Sequence, residues 1–433
     1  MSQDVKIVAI GAGSYVFGPG VLEGIIRTHR LPGIELALVD IDADTLAGMA
    51  GVAERMGREV GSDVRIHSHT DIAEALGGAD FVLCAAAIDL RARFATDCEI
   101  ITRHDPTHVI TEFGGVAGLA YSARQIAFMR SIAEQMKSRC PDAWFLTVSN
   151  PLPRTCQAMH ELGIRTAGFC SAAMEGYAML WRAFEDEEIR FPFTAARERW
   201  DVTMGGLNHF SWVHRLIDRK SGRDDLPELI RRLNAGATTG WPNSDRISRQ
   251  VGALLVPNDH HTQDFLPRRE NAVNRDHASH GGESQRRERI DTLRAVASGE
   301  LPLETVTDQA SWEKPVDMIA GLLGVSEVSY DALNLANAGQ VPQLPRGVFV
   351  ETSAHVTPNG PQPEQLELPE AVLAYLKPSA DQHDAIVKAC LARSRAALLD
   401  CLADEPTVTD PDACRAALSE CLDAHEDLLD EWS

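Results

Sequence analysis

The stretch KIVAIGAGS (Lys6–Ser14) runs an apolar strand into a glycine turn, and ELALVDID (Glu35–Asp42) carries a second strand onto an acidic residue. This pairing predicts a dinucleotide site. Gly11 and Gly13 let the backbone turn tightly and approach a pyrophosphate, whose charge then rests at the N-terminus of the next helix. Ser14 closes the same turn, and Asp40 is placed to accept hydrogen bonds from the adenosine ribose hydroxyls. No arginine follows Asp40 directly to hold a 2′-phosphate, so NAD is favoured over NADP. Val16 takes the third position of a GxGxxG register. The signal is therefore the order strand, turn, strand and acid, more than the glycines themselves.

Outward from that stretch, short apolar runs alternate with helical segments to about residue 170. They read FVLCAAA (Phe81–Ala87), HVITEF (His108–Phe113), WFLTVSNP (Trp144–Pro151) and TAGFC (Thr166–Cys170). Near-continuous apolar strands between helices predict a parallel sheet buried on both faces. The fold class is α/β, with an N-terminal doubly wound Rossmann-type sheet over residues 1–195. Residues 196–433 are expected to form an α+β domain that ends in helices. Ligands of such a sheet lie at the carboxyl ends of its strands, which brings Ala87, Glu112, Asn150 and Cys170 into one crevice. In the second half, WDVTMGGLNHFSW (Trp200–Trp212) is expected as one strand with a polar end. GVFVETSAHVTPNG (Gly347–Gly360) is expected as a strand leading to a turn, and residues 259–289 as a polar loop over the site.

Bulk properties narrow the partners. A chain of 433 residues with a formal charge of −22 lacks the basic surface that nucleic acid or an anionic membrane requires. Nine cysteines without CxxC spacing read as reduced thiols of a cytoplasmic protein. The first strand begins too early to leave room for a signal peptide, and no apolar run approaches the ~20 residues of a membrane span.

Three further places could carry chemistry. Cys170 ends a strand of the first half and His209 ends GGLNH in the second; a thiolate and an imidazole could share one divalent cation and leave its other positions to substrate and water. VPNDHHTQDFLP (Val256–Pro267) lines up Asp259, His260 and His261 as bases, as ligands, or as a solvated loop with a helix cap. Asn150-Pro151 is a turn whose amide can hold a cofactor or a sugar hydroxyl.

Together with GAGS (Gly11–Ser14), SNP (Ser149–Pro151), GFC (Gly168–Cys170), GLNHF (Gly206–Phe210), PNDHHTQDF (Pro257–Phe265) and NAGQVPQLPRGVFVET (Asn337–Thr352), the chain resembles glycoside hydrolase family 4 along nearly its whole length. It is similar as well to related NAD-dependent sulfoquinovosidases. The resemblance implies a fold like that of the lactate/malate dehydrogenases, NAD as a non-consumed cofactor, and manganese or another divalent cation on Cys170 and His209. It implies Asn150, Asn208 and His260 facing a glycoside, and Asp259 as the base, which tilts the expectation to α-linked substrates. The implied reaction oxidises sugar C3, removes the C2 proton, eliminates the aglycone, adds water and returns the hydride, unlike the two-carboxylate route of most glycosidases. A homo-oligomer, dimer or tetramer, is expected.

Two departures stand out. Ser171 follows the cysteine, where family members commonly carry His, Asp or Asn and some place their general acid; Glu175, Glu112 or a metal-bound water could replace it. The family's glycine-rich stretch is changed to TEFGGVAGLAYSAR (Thr111–Arg124). Both changes point to an unusual glycoside, and an anionic sugar would find guanidinium candidates in Arg91, Arg93, Arg268 and Arg269. The competing expectation is a hydroxy-acid dehydrogenase with His209 or His214 as its catalytic histidine.

Overall fold

The computed structural model describes residues 4–267, 274, 282–308 and 312–433. Six parallel strands form the first half: β1 Val5–Ile10, β2 Ile34–Val39, β3 Arg65–His69, β4 Phe81–Cys84, β5 Trp144–Thr147 and β6 Arg165–Gly168. The second half adds β7 Trp200–Leu207, β8 Phe210–Asp218, β9 Leu254–Val256, β10 Val328–Ala336, β11 Phe349–Thr357 and β12 Gly360–Pro363. The sheet order is β3-β2-β1-β4-β5-β6-β10-β11-β7-β8-β9, with β12 on β11. Strand order 3-2-1-4-5-6 is the doubly wound arrangement, and its direction reverses between β1 and β4.

Side-chain alternation explains why this sheet must be covered twice. In β1, Ile7 and Ala9 enter one apolar cluster with Leu36, Leu38 and Met49. Val8 and Ile10 enter another with Val82, Met129 and Met136. The central strands are buried on both faces and read as unbroken apolar runs, whereas the edge strand β3, RIHSH, is largely exposed. The two halves share one continuous sheet, joined where Asn334 of β10 pairs with Gly168 of β6.

Two strand expectations need correction. HVITEF is not a strand: β4 pairs directly with β1 and β5, which leaves it no place in the sheet. Its residues form an extended loop that feeds the helix Gly115–Arg139. A Cβ at Gly118 would lie 2.2 Å from the Phe113 carbonyl, so the altered glycine stretch packs that loop tightly onto the helix. WDVTMGGLNHFSW is two strands, not one. β7 and β8 form a hairpin closed at the Leu207–Phe210 pair, with Asn208 and His209 as its two-residue turn. The expected polar loop is helical at Asp259–Thr262 and again over Glu283–Ser298; Arg268 and Arg269 lie outside the described residues.

Candidate active site

A cleft of about 1000 Å³ opens at the switch point between β1 and β4, lined by Gly11, Gly13, Ser14, Asp40 and Ala86. The Asp40 carboxylate accepts the Gly13 N–H at 2.8 Å and the Asp42 N–H at 3.0 Å. A side chain at residue 13 would meet Asp40 Oδ2 at 2.7 Å, so only glycine lets turn and acid close on each other. The acid is thus fixed at the rim of a groove large enough for a dinucleotide. The reading of the adenosine end from Asp40's immediate neighbours was incomplete. Arg286, 244 residues from Asp42, bonds its Oδ2 at 2.7 Å and, with Arg289, lines the same cleft. Burial raises the Asp42 carboxyl, but the Arg286 and Thr45 hydrogen bonds outweigh it and hold it at about 2.

At the carboxyl end of β6, Cys170 Sγ lies 3.5 Å from His209 Nε2. Two ligands with bonds of ~2.0–2.3 Å to one divalent ion stand about that far apart. The donor set therefore fits a divalent cation completed by substrate and water. His209 sits in the left-handed backbone region, φ +64°, a conformation that costs a non-glycine residue ~1–3 kcal/mol and gathers at functional sites. Its ring stacks on Phe113 at 4.4 Å and meets His261 edge-on at 4.4 Å. Burial pushes the Cys170 thiol well up, the Glu313 and Glu351 charges add to this, and the Asn208 amide offsets part.

Three further contacts lie at this end of the sheet. Asn150 donates to Glu112 Oε1 at 2.8 Å, so the loop misread as a strand still delivers Glu112 to the crevice. Asp264 accepts the Phe113 N–H at 2.9 Å, fixing the ring that stacks on His209. Glu351, buried in β11, accepts Asn208 at 3.1 Å, Asn334 at 2.9 Å and Ser211 at 2.7 Å. Burial raises the Glu351 carboxyl, and these three donors counter it. Glu351 and Asp264 went unnoticed in the sequence, although a single acid inside the apolar run GVFVET was a readable signal.

Asp259 and His260 each have a partner within the protein. The Asp259 carboxylate caps the helix Pro242–Val251, accepting Asn243 N at 2.8 Å, Ser244 N at 2.9 Å and Ser244 Oγ at 2.9 Å. The His260 ring packs edge-on against Trp241 at 5.2 Å. Of the three adjacent residues it is His261 that reaches His209. Arg93 is bidentate to Asp427 and bonded to His425, so it braces the C-terminal helices. Arg91 lines the nucleotide cleft. Glu175 accepts the Asn258 amide, and Ser171 donates both N–H and Oγ–H to Glu313.

A doubly wound sheet with a dinucleotide-sized cleft beside a thiol–imidazole pair is the layout of a nucleotide-dependent metalloenzyme. Sequence comparison makes the class specific. Residues 6–183 match the family 4 glycosyl hydrolase model, and residues 204–408 match that of the family 4 glycosyl hydrolase C-terminal domain. The chain belongs to glycosyl hydrolase family 4, and is a glycosidase rather than a dehydrogenase. It is 26% identical to an α-galactosidase of Bacillus subtilis, over 99% of each chain. It is 24% identical to an α-galacturonidase of Thermoanaerobacterium saccharolyticum, over 99% of this chain and 97% of the other. Among solved structures, a 6-phospho-α-glucosidase from gut microorganisms, in complex with NAD and Mn²⁺, superposes with a TM-score of 0.76. It is 20% identical, over 98% of this chain and 99% of that one.

Proposed function

We propose that the chain hydrolyses α-linked glycosides with NAD as a non-consumed redox cofactor and a divalent cation, manganese by preference, on Cys170 and His209. The observation that carries this reading is the 3.5 Å thiol–imidazole pair at the end of β6, beside the nucleotide cleft and the Asn150–Glu112 contact. The cofactor's contribution is reversible oxidation at sugar C3, and the cation's is acidification of the C2–H beside the resulting ketone. The chain's own groups bind and orient. Gly11, Gly13, Ser14 and Asp40 receive the nucleotide, while Asn150 and Glu112 present an amide and a carboxylate to sugar hydroxyls. The hydrogen bonds that hold Asp259 favour a role as helix cap, and the contact of His261 with His209 favours His261 as the base that accepts the C2 proton.

The substrate range follows the relatives named above, α-galactosides and α-galacturonides, with α-sulfoquinovosides as a second anionic class. The nine cysteines are all free thiols, which fits the reducing cytoplasm. Among the described residues no helix is long and apolar enough to cross a membrane. A homodimer or homotetramer is expected by sedimentation.

The test is release of 4-nitrophenol from α- and β-glycosides of neutral, uronic, sulfonated and phosphorylated sugars, with and without NAD and Mn²⁺, while NADH absorbance is followed. Release that needs both additives without accumulating NADH supports the reading. Release with neither additive, or NADH growing in step with product, overturns it.

A further inference from the structure

Resting on the proposed function, the geometry points to Glu313 as the acid that protonates the departing glycosidic oxygen. Glu313 Oε1 accepts the Ser171 N–H at 3.0 Å and the Ser171 Oγ–H at 2.8 Å. Cys170, Ser171 and Glu313 line one cavity of about 200 Å³. A carboxyl from 142 positions away is thus hydrogen-bonded to the residue that follows the metal-ligand candidate.

The surrounding packing fixes it there. Trp312 stacks on Phe191 at 4.2 Å, nearly parallel, and meets Phe193 edge-on. On the other side of Glu313, the Tyr330 hydroxyl donates to the Lys314 carbonyl. The segment is clamped on both flanks before the helix Pro315–Leu322 begins.

The other carboxylates nearby have different hydrogen-bond or ion-pair partners. Within this cavity, Asp317 is paired with His29 and Asp331 with Arg197, each at 2.8 Å. Glu112 holds Asn150, Glu175 holds Asn258, and Glu351 is buried under three donors. Glu313 alone of these is bonded to the residue that follows Cys170.

In the step assigned to it, the C2–H electron pair becomes the C1=C2 bond, conjugated with the C3 ketone, as a base takes the proton. The C1–O pair leaves with the aglycone oxygen, which takes the proton of the Glu313 carboxyl. The carboxylate then accepts a proton from the water that adds to C1, which restores the acid. No net oxidation occurs in this step.

The test compares E313Q with wild type on the methyl and 4-nitrophenyl α-glycosides of the sugar identified by the panel. It is read together with deuterium incorporation at C2 of the free sugar in D₂O and with Mn²⁺ binding by calorimetry. A general acid contributes ~10²–10⁴-fold, so cleavage of the methyl glycoside should fall by at least about a hundredfold. The nitrophenyl glycoside, whose leaving group needs no proton, should keep its rate within about threefold. C2 exchange and Mn²⁺ affinity should be unchanged, because glutamine still accepts the Ser171 N–H. A carboxyl restored in S171D/E313Q should recover methyl glycoside cleavage. Equal losses on both glycosides, loss of C2 exchange or weakened Mn²⁺ binding would overturn the assignment in favour of a structural, basic or ligand role. Absence of C2 exchange in wild type would instead remove the redox reading itself.

Discussion

The nucleotide end of the crevice and its Cys170 end are built by opposite strategies. At the nucleotide end, Gly11, Gly13 and Asp40 come from one strand–helix–strand unit, and the Gly13–Asp40 contact spans only 27 residues. At the other end, Glu112, Asn150, Cys170, His209 and Glu313 come from five separate segments, with Asp264 bonded to Phe113 and Glu351 to Asn208 beside His209. A local unit tolerates divergence elsewhere, because its geometry depends on its own backbone. A site assembled across the sheet depends on every layer that supports it, and it can be rewired by moving one side chain. The Ser171–Glu313 contact has the form of such a rewiring.

The sharpest break of this comparison is at the assembled end. C170S removes one of the two ligand candidates. It should abolish Mn²⁺ binding in calorimetry and cut turnover far beyond the ~10–100-fold that loss of an outer partner costs. NAD affinity should hold, because the cleft does not use the thiol. Manganese binding that survives in C170S would mean the pair is not the metal site. The local end breaks differently. G13A drives a methyl into Asp40, an overpacking worth ~1–3 kcal/mol. NAD binding, followed by fluorescence, should weaken by roughly tenfold or more while Mn²⁺ affinity stays put. If both ligands weakened together in either variant, the two ends would not be independent.

This division also decides what could be read from the residues alone. The parallel strands β1, β2, β4, β5 and β6 were legible, because unbroken apolar runs between helices have few other folded outcomes. The polar, largely exposed edge strand β3, RIHSH, gave no such signal. The Cys170–His209 pairing was expected from the family resemblance and from two strand ends, one of which is in fact a hairpin turn. HVITEF misled because an apolar, β-branched run suits any buried extended segment, and only the sheet's fixed neighbours deny it a place. Glu313, Glu351 and Asp264 escaped notice because their meaning lies in partners 142, 143 and 151 residues away. The same distance hid Arg286 from the adenosine end.

A smaller effect separates His261 from Asp259. With its carboxylate spent on the cap of Pro242–Val251, D259N should cost about 1 kcal/mol of stability, seen as a lower urea midpoint. C2 exchange and nitrophenyl glycoside turnover should remain within a few-fold of wild type. H261N should instead stop C2 exchange at near-normal stability. An unchanged urea midpoint with exchange abolished in D259N would return the base to Asp259 and make the cap incidental.

The mildest expectation concerns a long-range graft on the local end, Arg286 on Asp42. Both side chains are partly exposed, so the pair is worth only ~0.2–1 kcal/mol. Its sign with pH is fixed by the depressed Asp42 carboxyl. A carboxyl at about 2 in the folded chain, against ~3.9 when unfolded, contributes stability that is full above about pH 4 and is lost as pH falls through 2. R286A should therefore lower the urea midpoint slightly at pH 7, and the gap to wild type should narrow by pH 3. Because Asp40 keeps its own bonds to Gly13 and Asp42, NAD affinity in R286A should change by less than about threefold. A larger loss would show that the nucleotide end also relies on a remote segment, and that the contrast between the two ends is one of degree.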